Sequence, residues 1–232
     1  VYTCMLLGQF EPAIAAAEEI CANLPPDVID MKGKPFITET MEGYFGMRMH
    51  VLVRFGKWQE IIDTPMPQMP ELYSVSTSMH YYAKSIAFAA LKHFDEADQQ
   101  KEAFYTSLKC ISPNRKLFNN PALKTLAVGE EMLLGELEYQ KGNYDVAFSH
   151  LRESVQRCDN LHYSEPWSWM HPPRHVLGAL LLEQGHYKEA EEVYRADLGL
   201  NGAVPRCAQH KNNVWALHGI VCLLYTSDAA DD

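Results

Sequence analysis

Leu134-Gly-Glu-Leu-Glu-Tyr-Gln-Lys-Gly142-Asn-Tyr144-Asp-Val-Ala147 and Leu177-Gly-Ala-Leu-Leu-Leu-Glu-Gln-Gly185-His-Tyr187-Lys-Glu-Ala190 are two copies of one pattern. A small residue is followed seven positions later by Gly, nine later by an aromatic ring and twelve later by Ala. The turn itself recurs at Gly8-Gln-Phe10 with Ala13, at Gly56-Lys-Trp58 with Ile61, and at Lys92-His-Phe94 with Ala97. Its aromatic returns at intervals of 48, 36, 50 and 43 residues. Such a period marks a repeat architecture and outranks element-by-element reading.

The pattern has a mechanical meaning. A helix ends, Gly permits a left-handed residue beyond its C-terminus, and a second helix starts at once. The aromatic packs over the turn, and Ala lets the two helices approach. The upstream small residue (Ser85, Gly135, Gly178) falls where they cross. The second copy departs, with Met49 for the small residue and Ile61 for Ala, and a sixth copy begins at Trp215-Ala-Leu-His-Gly219. Helices are predicted over roughly 1–7, 11–23, 38–55, 57–63, 76–91, 94–109, 121–141, 144–158, 172–184, 187–199 and 212–221, with apolar residues such as Val176, Leu177, Leu180 and Leu181 at helical spacing. Pro172 and Pro173 suit a first turn, and Asn120 suits a cap before Pro121. No strand of comparable length is expected. The spacings exceed the roughly 34 residues of a minimal repeat, and the excess lies in Pro-rich connections at 25–35, 113–121 and 166–173.

These turns resemble the tetratricopeptide pattern. Val51-Leu-Val-Arg-Phe-Gly-Lys-Trp58, Glu165-Pro-Trp, His175-Val-Leu-Gly-Ala and Val193-Tyr-Arg-Ala-Asp-Leu198 further resemble a widespread group of tetratricopeptide proteins. The resemblance covers most of residues 1–221. It implies an all-α, right-handed solenoid of antiparallel helix pairs with long Pro-containing inter-repeat loops. It brings no reaction, and no catalytic residue is carried over.

Composition narrows the function classes. The chain has 232 residues, 47% hydrophobic and 22% charged, with a formal net charge of −10. It can bury a core, and it has no basic stripe of the kind that neutralises phosphates, so nucleic acid is not an expected partner. No apolar run approaches the ~20 residues of a membrane span. Val1–Leu7 lacks a signal peptide's basic region. Six cysteines without a CxxC pair predict reduced thiols in a cytoplasmic setting. Residues 222–232 (CLLYTSDAADD) break the pattern and resemble a translated sequencing adapter. The expected native domain is therefore 1–221, truncated at both ends, and without Asp228, Asp231 and Asp232 its charge becomes −7.

The densest polar and aromatic cluster is Glu165-Pro-Trp167-Ser-Trp169-Met-His171-Pro-Pro-Arg174-His175. Two indoles, a guanidinium and a carboxylate can wall a pocket, or can anchor a long loop. His171 and His175 share a helical face, but the intervening residues are Pro172, Pro173 and Arg174, so HExxH is absent, and no metal, cofactor or catalytic residue is assigned. In the repeat register, His50, Tyr82, Ile86, Glu136, Tyr139 and His175 point into a concave groove. The leading expectation is a protein-interaction scaffold holding a peptide or partner segment there. A small-molecule receptor or enzyme built on 163–175, and a sensor region of a larger regulatory protein, are the alternatives.

Overall fold

Each repeat turn closes through a residue in the left-handed region: Gly8 (φ 71°), Gly56 (φ 64°), Gly142 (φ 85°) and Gly185 (φ 77°). In the third copy Lys92 takes the same conformation (φ 66°) with a side chain attached. The next backbone N–H then donates five residues back in every copy: Gln9 to Cys4, Lys57 to Leu52, His93 to Phe88, Asn143 to Glu138 and His186 to Leu181, at 2.8–3.0 Å. This is the six-to-one bond of a Schellman motif. One local geometry therefore ends the first helix of all five pairs.

The computed structural model describes residues 1–228, with side chains as far as Tyr225. The chain is all-α. Helices α1 (Tyr2–Leu6) and α2 (Phe10–Ala22) form the first pair. Short α3 (Pro26–Ile29) and α4 (Pro35–Met41) lead through a 3-10 turn, Glu42–Gly46, into α5 (Met47–Arg54) and α6 (Trp58–Asp63). The long pairs follow: α7 (Ser74–Ala90) with α8 (Phe94–Leu108), α9 (Ala122–Gln140) with α10 (Tyr144–Asp159), and α11 (Pro173–Glu183) with α12 (Tyr187–Leu198). After a 3-10 turn at Arg206–Ala208, α13 (Val214–Asp228) closes the described chain. No helix among the described residues is long and apolar enough to cross a membrane.

The crossing points hold the small residues. The Ser85 hydroxyl donates to the Ala97 carbonyl at 2.7 Å. A Cβ on Gly135 would meet Leu151 at 2.6 Å and the Ala147 carbonyl at 3.1 Å, and one on Gly178 would meet Tyr194 at 2.7 Å. Ala97, Ala147 and Ala190 are fully buried beneath them. Helix α7 is the central element, buried along most of its length between α8, α9 and the α5–α6 pair.

Several expectations are corrected. The single helix over 38–55 is three segments, α4, a 3-10 turn and α5, and Glu42 at the first junction keeps a helical backbone while its side chain caps α7 from outside. Its carboxylate accepts from the backbone N–H of Val75 (2.9 Å) and Ser76 (3.3 Å), with Arg115 Nε 3.7 Å away. Two-residue strands, β1 (Lys116–Leu117) and β2 (Asn120–Pro121), form a small antiparallel hairpin within the Pro-rich connection expected at 113–121. Asn120 is not the cap of α9; Pro121 stands there, and Asn120 is a buried bracket for a distant segment. Helix α13 runs on past the helix end expected at Val221, with Leu223 in the same buried cluster as Tyr194; of the adapter-like residues 222–232, positions 229–232 lie outside the described residues.

The helical row curls until its first pair meets its last helix. Trp215 Nε1 donates to the Met5 carbonyl at 2.8 Å, and its indole lies edge-on to Phe55. The second half of the 160–172 connection, Ser168 to Pro172, is buried inside this curl.

Candidate functional site

Asn120 fixes the entry of the connection. It donates to the His162 carbonyl (2.8 Å) and to Ser168 Oγ (2.7 Å), and accepts from the His162 N–H (2.7 Å). Ser168 in turn donates to the Leu117 carbonyl at 3.0 Å. Trp169 then drops into the core at 1% exposure. Its ring lies over Gly129, where a Cβ would come within 2.3 Å, and edge-on to His50 and Tyr82, each with centroids 5.0 Å away. Its Nε1–H points at Met132 Sδ, 2.9 Å away. His171 Nε2 donates to the His50 carbonyl at 2.6 Å. The groove expected at His50, Tyr82, Ile86 and His175 is thus filled by the protein's own chain, and all four residues are buried.

Beyond His171 the buried groups form a directional network. Arg54 can only donate, so its Nη2 contact with His175 Nδ1 (2.6 Å) makes that nitrogen an acceptor. The proton of the neutral ring then sits on Nε2 and is donated to Asp197 Oδ2 at 2.8 Å. His210 Nδ1 donates to Asp197 Oδ1 (2.6 Å), and Asn213 Nδ2 donates to Oδ2 (2.9 Å). Burial holds His175 down to about 4, lowers His210, and brings Arg54 down to about 10. Burial alone would raise the Asp197 carboxyl; its interactions with His175 and His210 outweigh that and hold it well below the usual range. At neutral pH the two imidazoles are uncharged, so N–H donors and the Arg54 charge keep this 0%-exposed carboxylate ionised.

The ligand atoms of His175, Asp197 and His210 lie within 4.8 Å of one another, a spacing a metal ion could use. The hydrogen bonds oppose it. A metal on His175 Nε2 would require the proton to move to Nδ1, against the Arg54 guanidinium, and both Asp197 oxygens already accept. The arrangement fits a structural proton-ordered network better than a metal centre.

What the network leaves over is more informative. Tyr2 Oη, His50 Nδ1, Tyr82 Oη, His171 Nδ1 and His210 Nε2 are all buried without a hydrogen-bond partner. Buried polar atoms normally find one, so five on one interior stripe mark a place for additional polar matter. Two cavities adjoin the end of the stripe. One, about 100 Å³, is lined by residues including Leu161, Ser164, Trp167, Pro172, Arg174 and His210. The other, about 550 Å³ and more open, is bordered by Tyr2, Glu165, Trp167, Arg206 and His210. Trp167 and His210 stand in contact between them, ring edge to ring face.

The remaining expected residues separate. Arg174 is clamped by Asp159 through two bonds of 2.7 and 2.6 Å, so it reaches the cavity already paired. Glu165 is exposed and accepts from Tyr163. Tyr139 packs against Phe148 and accepts from Gln184 at 2.8 Å, away from the stripe. Glu136 is half-buried near Tyr82, and burial pushes its carboxyl up to about 7. Sequence reasoning missed Tyr2, Arg54, Asp197 and His210. Asp197 had a signal: it sits among Ala190, Tyr194 and Leu198 on the apolar face of α12, where an acid must find buried partners.

No protein-family model matches the chain, and no curated protein and no solved structure is significantly similar to it. Functional inference therefore rests on its own residues.

Proposed function

We propose that this chain is a tetratricopeptide-type right-handed solenoid that binds a small molecule at the Trp167–His210 wall. The observation that carries the reading is His210: its Nδ1 is tied to Asp197 while its buried Nε2 lacks a partner, on a residue that borders two cavities. Indole, proline and leucine surfaces with a few converging polar groups are the usual makings of a small-ligand site. The peptide-groove reading has less support, because His50 and Tyr82, two of the positions that would meet a peptide, are covered by Trp169 and His171 of the 160–172 connection.

The test is a ligand-observed NMR screen of small polar fragments against the chain and an Ala208→Trp variant. Ala208 lines the smaller cavity and is only half-buried, so the added indole should fill that cavity without disturbing the helices. Fragments that compete with one another, and are lost from the variant while its melting temperature holds, are the expected result. No binders, or binders indifferent to Ala208→Trp, would defeat the reading.

A further inference from the structure

We propose that His210 selects the ligand, accepting at Nε2 a hydrogen bond from a small, neutral, ring-bearing molecule that carries one O–H or N–H donor. The inference rests on the small-molecule reading above and adds the chemistry of what is recognised. It follows first from the direction of the network. Arg54 donates to His175, His175 donates to Asp197, and His210 donates to the same carboxylate through Nδ1. Every proton is directed toward Asp197, so the neutral His210 ring has only a lone pair left at Nε2. A ligand atom there must donate. The carboxylate behind Nδ1 also makes that lone pair a better acceptor, as an orienting carboxylate does for any imidazole.

Charge and size narrow the class. The formal charges beside the smaller cavity are already matched, Arg174 by Asp159 and Asp197 by Arg54 acting through His175. A charged ligand would have to be desolvated without a counter-charge, so a neutral one is favoured. A cavity of about 100 Å³ is of the order that accepts a single six-membered ring. Leu161, Pro172 and the Trp167 indole supply apolar walls for it. The half-buried indole packs against the His210 ring, whose Nε2 is buried, so a donor reaches that nitrogen when the indole rotates aside. Tyr2, whose ring centroid lies 6.4 Å from that of the indole, carries a second unpartnered buried polar atom, its hydroxyl, available to the same molecule.

Phenol and toluene have nearly the same shape and differ in the donor, so the pair isolates the claim. Both are titrated into the full chain, followed by tryptophan fluorescence and by the ¹⁵N resonances of the histidine rings. Phenol should bind more tightly by roughly tenfold, the usual worth of one hydrogen bond. It should also move the His210 Nε2 signal from that of a free acceptor toward that of a hydrogen-bonded one. In His210→Phe the preference should fall to near one while toluene still binds. If that variant does not fold, the wild-type ¹⁵N measurement decides alone. Equal binding of the two, or a His210 Nε2 already hydrogen-bonded before addition, as an ordered water would make it, overturns the proposal and leaves the cavity reading intact. If neither compound binds at millimolar concentration, the cavity reading falls with it.

Discussion

Gly129→Ala should destabilise the protein, although Ala is the better helix residue. Gly129 lies inside α9, where replacing Gly by Ala ordinarily gains about 1 kcal/mol. Here the new Cβ would sit 2.3 Å from Cη2 and 2.8 Å from Cζ2 and Cζ3 of Trp169. These are rigid ring atoms, not a flexible tip. The indole cannot retreat, because His50, Tyr82 and His171 hold its faces and edges and its N–H is directed at Met132. Overpacking of that kind costs roughly 1–3 kcal/mol, so with the helix gain set against it the net loss should be up to about 2 kcal/mol. For a chain of this size that lowers the melting point by about 2–4 °C per kcal/mol. Urea unfolding of the variant, followed by tryptophan fluorescence and by circular dichroism, measures it. The same substitution in a Trp169→Leu background should instead stabilise, because the ring is gone. A single Gly129→Ala variant more stable than wild type would mean that Trp169 does not occupy the core, and the filled groove would be wrong.

Other substitutions probe the repeat and the interior charges. Ala147→Leu and Ala190→Leu, at fully buried crossings, should each cost roughly 1–3 kcal/mol in denaturant melts, against about 0.5 or less for exposed Lys188→Leu. Lys92→Gly should stabilise by about 0.5–1 kcal/mol, since it relieves a left-handed residue and gives up only exposed bonds to Gln140; a loss of stability would show the turn is not strained. Glu136, raised by burial to about 7, binds its proton more tightly in the folded chain than in the unfolded one. Its contribution to stability therefore falls as pH rises from the ordinary glutamate value of about 4.5 to about 7. Glu136→Gln should remove that fall and exceed wild-type stability at pH 8 by roughly 2–3 kcal/mol relative to their difference at pH 4, read by parallel urea titrations.

The repeat turns were legible because their physics is local. A left-handed residue, a ring over the turn and an Ala at the crossing are set by neighbours within about a dozen positions, so Gly142-Asn-Tyr144 announces its helix pair without reference to the rest of the chain. The same holds for the Pro173 start of α11 and for the small residues at 85, 135 and 178. Trp167, Trp169, Arg174 and the two histidines drew notice as a cluster for a similar reason, since they are adjacent in sequence.

Their roles were decided by contacts that no local rule reaches. His171 meets the His50 carbonyl and Arg54 meets His175, each across 121 positions, and Trp215 meets Met5 across 210. Such pairings exist because the helical row curls and the 160–172 connection folds inward, and the free energy that drives this comes from burying Trp169 and its neighbours together. Sequence alone established helix pairs, their turns and a polar-aromatic segment. Only the tertiary structure turned that segment into core, paired Arg174 with Asp159, and left His210 Nε2 as the buried acceptor beside a cavity, because burial and hydrogen-bond satisfaction are properties of the assembled interior rather than of any stretch of chain.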